Sequence, residues 1–119
     1  MITSVALNYI KKEKPLFTFI YYGLPEETGR NKGFGTNVYF QSINDIDTEI
    51  GKIVAYVKEM GMAQNTTLII TSDHGGNGFE NGNESMADIE VPWIINGPGV
   101  KKTFCLKHRT TWLTLLLLL

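Results

Sequence analysis

Asp73 and His74 stand side by side in the segment Thr71-Ser72-Asp73-His74-Gly75-Gly76, and their types already specify a chemistry. A carboxylate offers a hard oxygen and an imidazole a borderline nitrogen, a mixture suited to Zn²⁺ and tolerable for Mn²⁺ or Fe. Glycines at 75 and 76 remove side-chain bulk, which would let backbone and substrate approach such a metal. An Asp-His dipeptide also serves ordinary turn chemistry, and two ligands alone do not complete a metal centre. Both readings stay open on these residues.

The elements that must position this pair follow from hydrophobic pattern. The run Thr67-Leu68-Ile69-Ile70-Thr71-Ser72 reads as a strand over 66–72, delivering Asp73 and His74 to its carboxyl edge, where open α/β sheets bind ligands. Upstream, Leu16 to Tyr22 is a β-branched and aromatic run closed by Gly23. Its near-continuous apolar character predicts a strand over 16–22 covered on both faces. Between them, Phe40, Ile43, Ile46, Ile50, Ile53, Val54, Val57 and Met60 recur at steps of three and four, predicting a helix from about Thr36 to Met60. Asp47 falls on that stripe, so its carboxylate is expected to be buried with hydrogen-bond partners or to support a nearby site. Strand, long helix, strand predicts a right-handed βαβ unit and a parallel sheet. A short helix over Val5–Lys14, a glycine-rich loop over Gly23–Gly35, a polar loop from Asp73 to about Glu90 and a third strand over 92–96 complete the expected order.

Composition bounds what this arrangement can do. The 119 residues are 43% apolar, enough for one small domain with a core, and disorder is not expected. Eleven basic and twelve acidic residues give a formal charge of −1, which disfavours a charge-driven nucleic-acid binder. The single cysteine, Cys105, excludes an internal disulfide or a thiolate cage within this sequence. No basic stretch followed by an apolar run opens the sequence, and the terminal leucine run is too short for a membrane helix. The composition breaks near Thr103: the first 102 residues hold twelve isoleucines and four leucines, the last seventeen no isoleucine and seven leucines. Residues 1–102 are therefore expected to form the domain and 103–119 a distinct tail, either frame-shifted sequence or a leucine-rich helix.

The segment T-S-D-H-G-G after an apolar strand, with the long helix before it and Val91-Pro92-Trp93-Ile94-Ile95-Asn96-Gly97-Pro98-Gly99 after it, resembles the alkaline phosphatase superfamily. Within it, the chain looks most like the branch holding nucleotide pyrophosphatase/phosphodiesterases and sulfatases, over roughly Pro15 to Lys102. The resemblance implies a partial alkaline-phosphatase-like α/β fold and hydrolysis of phosphate or sulfate esters. It also implies a Ser, Thr or modified Cys nucleophile activated by one metal while a second steadies the ester oxygens. It assigns Asp73 and His74 to the nucleophile-side metal, with Zn²⁺ the leading candidate and Ca²⁺, Mn²⁺ or Mg²⁺ the others.

The family's D-x-x-G-H segment for the other metal reads here Glu26-Glu27-Thr28-Gly29-Arg30, and its later histidine falls near Asn81. Glu26 remains an oxygen donor, whereas Arg30 stays protonated and cannot ligate. A guanidinium there would instead clamp an ester oxyanion, in the manner of sulfatases, which pair one metal with basic residues. The fourteen residues before Pro15 offer no strand and turn to present a nucleophile; Thr3 and Ser4 are the hydroxyls there. The expectation is a hydrolase fragment, inactive by itself, completed by an N-terminal segment. The competing expectation is a non-catalytic remnant or binding subunit whose Asp-His turn is structural.

Overall fold

The computed structural model describes residues 2–101; Met1 and residues 102–119, with Cys105 and the leucine-rich tail, lie outside the described residues. Four helices and two strands follow in the order α1 (Ile2–Glu13), α2 (Leu24–Lys32), α3 (Asn37–Glu59), β1 (Leu68–Thr71), α4 (Met86–Ile89) and β2 (Trp93–Asn96).

The long helix α3 forms where its apolar recurrence predicts. Thr36 caps it with extended backbone, its hydroxyl accepting from the Tyr39 N–H at 3.3 Å, and Gly61 beyond it has φ of 68°. The buried face is rotated from the expected stripe. Ile53 is buried together with Ser42 and Glu49, whereas Phe40 and Ile43 are exposed and Asp47 lies in solvent rather than under cover. The reason is the pair of elements that dock on α3: α2 packs against it, and α1 packs against it across Thr3 and Glu49. Burial follows those partners, not the width of the apolar stripe.

Thr3 is 2% exposed and hydrogen-bonds Tyr22 Oη at 2.9 Å. Its hydroxyl also bonds the Glu49 carboxylate, so Thr3 donates to Glu49 and accepts from Tyr22. The Lys52 ammonium adds an ion pair to Glu49. Hydrogen bonds from Lys52 and then Thr3 hold the Glu49 carboxyl below its usual value. A carboxylate with a lowered folded pKa stabilises fully above its unfolded value, about 4.3, and that contribution is lost as pH falls through the folded value. The melting temperature of Glu49→Gln is therefore expected to lie below that of the parent at neutral pH, with the gap closing under acid. A gap that stays constant from pH 7 to pH 3 would contradict this.

Two expectations need correction. The sheet is antiparallel, with Leu68 opposite Asn96, Ile69 opposite Ile95, Ile70 opposite Ile94 and Thr71 opposite Trp93. Residues 16–22 join no ladder among the described residues, so no parallel βαβ unit is formed. The connection from 72 to 92 turns back through a tight bridge at Asn77 and Glu80 and the single turn of α4, bringing β2 alongside β1 in the opposite sense. The segment 16–22 forms no regular element, with Leu16, Phe17 and Phe19 facing solvent. Strand-like composition forms a strand only when a neighbour accepts its backbone groups. The fold is thus mixed helix with a small antiparallel sheet.

The second correction is α2, in the stretch expected to be a loop. Pro25 sits in its first turn with Glu26 and Glu27, Arg30 and Lys32 lie in its last turn, and Gly33 closes it. These are end signals and dipole-matched charges, which make a helix without an apolar period.

Candidate functional site

Two close approaches bring α2 and the loop after β1 together. The Phe34 ring lies between the helix and the loop: a Cβ built on Gly29 would fall 2.3 Å from it, and one built on Gly76 would fall 2.6 Å from it. The Phe34 N–H donates to the Gly78 carbonyl at 2.6 Å, and the ring tilts against Tyr39 at 5.4 Å between centroids. On the other side of the loop, Gly75 donates to the Asp88 carbonyl at 2.6 Å and Gly76 to the Ala87 carbonyl at 2.9 Å. A Cβ on Gly75 would stand 1.9 Å from the Ala87 oxygen. The glycines thus admit an aromatic ring and a backbone carbonyl, a different use from the expected approach of substrate to metal.

With the loop fixed in this way, four side chains from distant parts of the sequence close into one polar cluster. Arg30 Nε donates to Glu26 Oε1 at 2.5 Å, and Arg30 Nη2 donates to Asn81 Oδ1 at 2.8 Å. Asn81 Nδ2 lies 3.0 Å from both Glu26 oxygens. His74 Nε2 lies 3.2 Å from Glu26 Oε2 and 3.7 Å from Asp73 Oδ2. Four of the positions singled out in the sequence, Glu26, Arg30, His74 and Asn81, therefore meet at one place, with Asp73 exposed at its edge. Phe34 and Tyr39, which hold it together, were not singled out; two glycines flanking an aromatic at a helix end were the available signal.

Electrostatics follow from the contacts. Partial burial pushes the Glu26 carboxyl up, but hydrogen bonds from Arg30 and Asn81 and the charges of His74 and Arg30 outweigh it, leaving the group below its usual value. Burial pushes the Tyr39 phenol up, and the Glu26 charge adds to the rise. His74 Nδ1 is 2.7 Å from the Gly75 carbonyl, an oxygen that can only accept. The Nδ1 atom therefore carries the proton, and in neutral imidazole the Nε2 lone pair faces Glu26 and Asp73. That nitrogen also lies 3.4 Å from Asn81 Nδ2, an N–H donor, and in imidazolium its proton would donate to Glu26.

Asp73, His74 and Glu26 offer donor types that divalent metals accept, and ligands 2.0–2.1 Å from tetrahedral Zn²⁺ would stand about 3.3 Å from one another. The separations of 3.2 and 3.7 Å about His74 Nε2 bracket that spacing. Among the described residues no group of three or more His, Cys, Asp or Glu is placed so that it could hold a metal ion, and Asp73, 78% exposed, is not drawn in against the other two. The positions of Arg30 and Asn81 present N–H donors to Glu26 and do not fit a second metal.

Sequence comparison decides the family. The profile of the Type I phosphodiesterase / nucleotide pyrophosphatase family matches residues 2–90. The chain belongs to that family. It is 30% identical over 90 residues to an arylsulfatase of Volvox carteri, covering 66% of this chain and 13% of that protein. It is 25% identical over 103 residues to human ectonucleotide pyrophosphatase/phosphodiesterase family member 1, covering 80% of this chain and 11% of that protein. An arylsulfatase of Clostridium perfringens is 35% identical over 66 residues, covering 51% of this chain and 14% of that protein. This phosphodiesterase-family chain thus spans about an eighth of the length of the curated relatives it matches. No solved structure matches it. Among its described residues no helix is long and apolar enough to cross a membrane.

Proposed function

We propose that this chain contributes one side of the site of a metal-dependent phosphate or sulfate ester hydrolase. In this reading it is inactive until a complementing segment supplies the nucleophile. The observation that carries the reading is the His74 ring, fixed by the Gly75 carbonyl so that Nε2 turns its lone pair toward Glu26 and Asp73. Asp73 and His74 would hold the metal with Glu26 as the third donor, and the metal when bound would supply Lewis-acid polarisation of an ester oxygen. Family membership and the names of the relatives support the reaction class.

The chain's own residues have separable tasks. Gly75 holds the imidazole tautomer through its carbonyl, as the partners of metal-bound histidines do. Asn81 steadies both oxygens of Glu26. Thr3, the buried hydroxyl near the front of the sequence, is committed to Tyr22 and Glu49 and is not the nucleophile.

Calorimetric titration with Zn²⁺ tests the proposal. Micromolar binding is expected, weakened at least about tenfold in Asp73→Ala and in His74→Ala, because each removes a direct ligand. No heat at any concentration, with the chain shown to be folded, would contradict the metal assignment and favour a structural Asp-His turn in a binding subunit.

A further inference from the structure

The backbone of segment 16–22 has no ladder partner among the described residues: no N–H or carbonyl from Leu16 to Tyr22 bonds another backbone group there. Side-chain exposure nonetheless alternates with the period of two that marks a strand covered on one face. Phe17, Phe19 and Tyr21 are 81%, 77% and 58% exposed, whereas Thr18, Ile20 and Tyr22 are half-buried. The Thr3 hydroxyl of α1 fastens the inward row by its bond to Tyr22 Oη. An apolar segment held this way, with its backbone groups open, is a template for another strand.

Its sequence suits a second copy of itself. Two copies related by a two-fold axis at Phe19 run antiparallel, and every outward aromatic then meets an outward aromatic, Phe19 facing Phe19 and Phe17 facing Tyr21. Such pairs attract beyond the area they bury. Charge agrees with this direction. Lys11, Lys12 and Lys14 outnumber Glu13 just before the segment, and just after it Glu27 stands exposed in the first turn of α2 while Glu26 turns to Arg30. Antiparallel pairing lays the basic end of each copy on the acidic end of the other, bringing Lys14 to Leu24 and, one helical turn along the same face, to Glu27. Parallel pairing would set the lysines of both copies together.

The area is also sufficient. At about 150–250 Å² for an aromatic side chain, Leu16, Phe17, Phe19 and Tyr21 offer on the order of 600 Å² per copy. Ile2, Val5 and Tyr9 of α1, each at least half exposed, line a groove with Phe17 and Phe19 and extend the patch to roughly the 800 Å² per partner of a stable interface.

We propose that residues 16–22 are a homodimer seam, at which two copies of this chain pair antiparallel about Phe19. The seam is independent of the ester-hydrolase reading, since none of its pairs uses the proposed metal donors.

Sedimentation of the full chain across the micromolar range is expected to show a reversible equilibrium between monomer and dimer. Phe19→Lys sets two ammonium groups against each other on the axis and is expected to weaken the dimer at least about tenfold. Its circular dichroism should match the parent, because in a single copy the replaced ring faces solvent. Lys14→Glu and Glu27→Lys should each weaken the dimer, and the chain carrying both should recover it, the contact being rebuilt in reverse. In a Cys105→Ser background, mild oxidation should link Phe19→Cys to itself, and Tyr21→Cys to Phe17→Cys but not to itself. A monomer throughout would overturn the proposal, whether its 16–22 amides are shielded from exchange by residues 103–119 or left open to a complementing segment. So would a dimer that survives Phe19→Lys, cross-links in another register, or open-ended aggregates.

Discussion

Gly75→Ala is expected to destabilise the chain by at least about 3 kcal/mol, since overpacking that must displace backbone sits at or beyond the top of the usual range. The new methyl would meet the Ala87 carbonyl oxygen at 1.9 Å and the Glu90 carbonyl oxygen at 3.1 Å, and neither belongs to a side chain that can rotate away. Relief requires the 85–90 turn to move, breaking the bonds from Gly75 to Asp88 and from Gly76 to Ala87. The same movement releases the Gly75 carbonyl that fixes His74. Loss of stability and loss of Zn²⁺ binding should therefore come together in this variant. Gly51→Ala is the matched control: Gly51 lies within α3 with nothing within 4 Å of the added carbon. There alanine should stabilise by about 0.5–1 kcal/mol through helix propensity and a less free unfolded chain. Denaturant unfolding of the two variants reads both signs, and a tolerated Gly75→Ala would show that the loop does not lie against 87–90.

Phe34→Ala should have the second largest effect, about 3 kcal/mol, at the low end for a large aromatic because the ring is only half-buried. The ring fills the space over Gly29 and Gly76 and contacts Tyr39, so its removal empties the joint between α2 and the 73–81 loop. The hydrogen bond from its backbone to Gly78 survives the substitution, which leaves the loop tethered but unsupported. Zn²⁺ affinity should fall in parallel with stability, although Phe34 touches no proposed ligand. Phe34→Leu, which refills part of the volume, should recover much of both. Loss of stability without change in metal affinity would place Phe34 in the core but outside the support of the site.

What the sequence disclosed depended on whether the deciding force was local. Helix α3 was legible because a stripe repeating every three or four residues and a threonine cap act within a few turns. Its buried face was not, since Glu49 is covered by α1 and Lys52 while Asp47, two residues away, is not, and only the docking partners distinguish them. Segment 16–22 has the composition of a strand, yet a strand needs a neighbour and no ladder claims it. Helix α2 was hidden for the opposite reason: its signals are Pro25, the Glu26-Glu27 pair and Gly33 at its ends, with no apolar period to announce it.

The grouping of three side chains was more legible than the fold. Glu26, Arg30 and Asn81 were grouped through the family motif alone, and the structure places them within hydrogen-bond distance of one another across gaps of up to 55 residues. The motif records which positions must face one another, whatever ladders surround them. It did not record how they are held. Phe34 and the carbonyl of Ala87 act through contacts that no pattern of residue types specifies.

The convergence of α2 with the loop after β1 is the foundation of all this, and through-space magnetisation transfer between side-chain protons tests it most directly. Arg30 Nε–H should exchange slowly with water and show cross-peaks to the Nδ2 protons of Asn81, 51 residues away in sequence, both vanishing in Glu26→Ala. An Arg30 proton that exchanges as in a free peptide, with no transfer to Asn81, would mean that the cluster is not assembled.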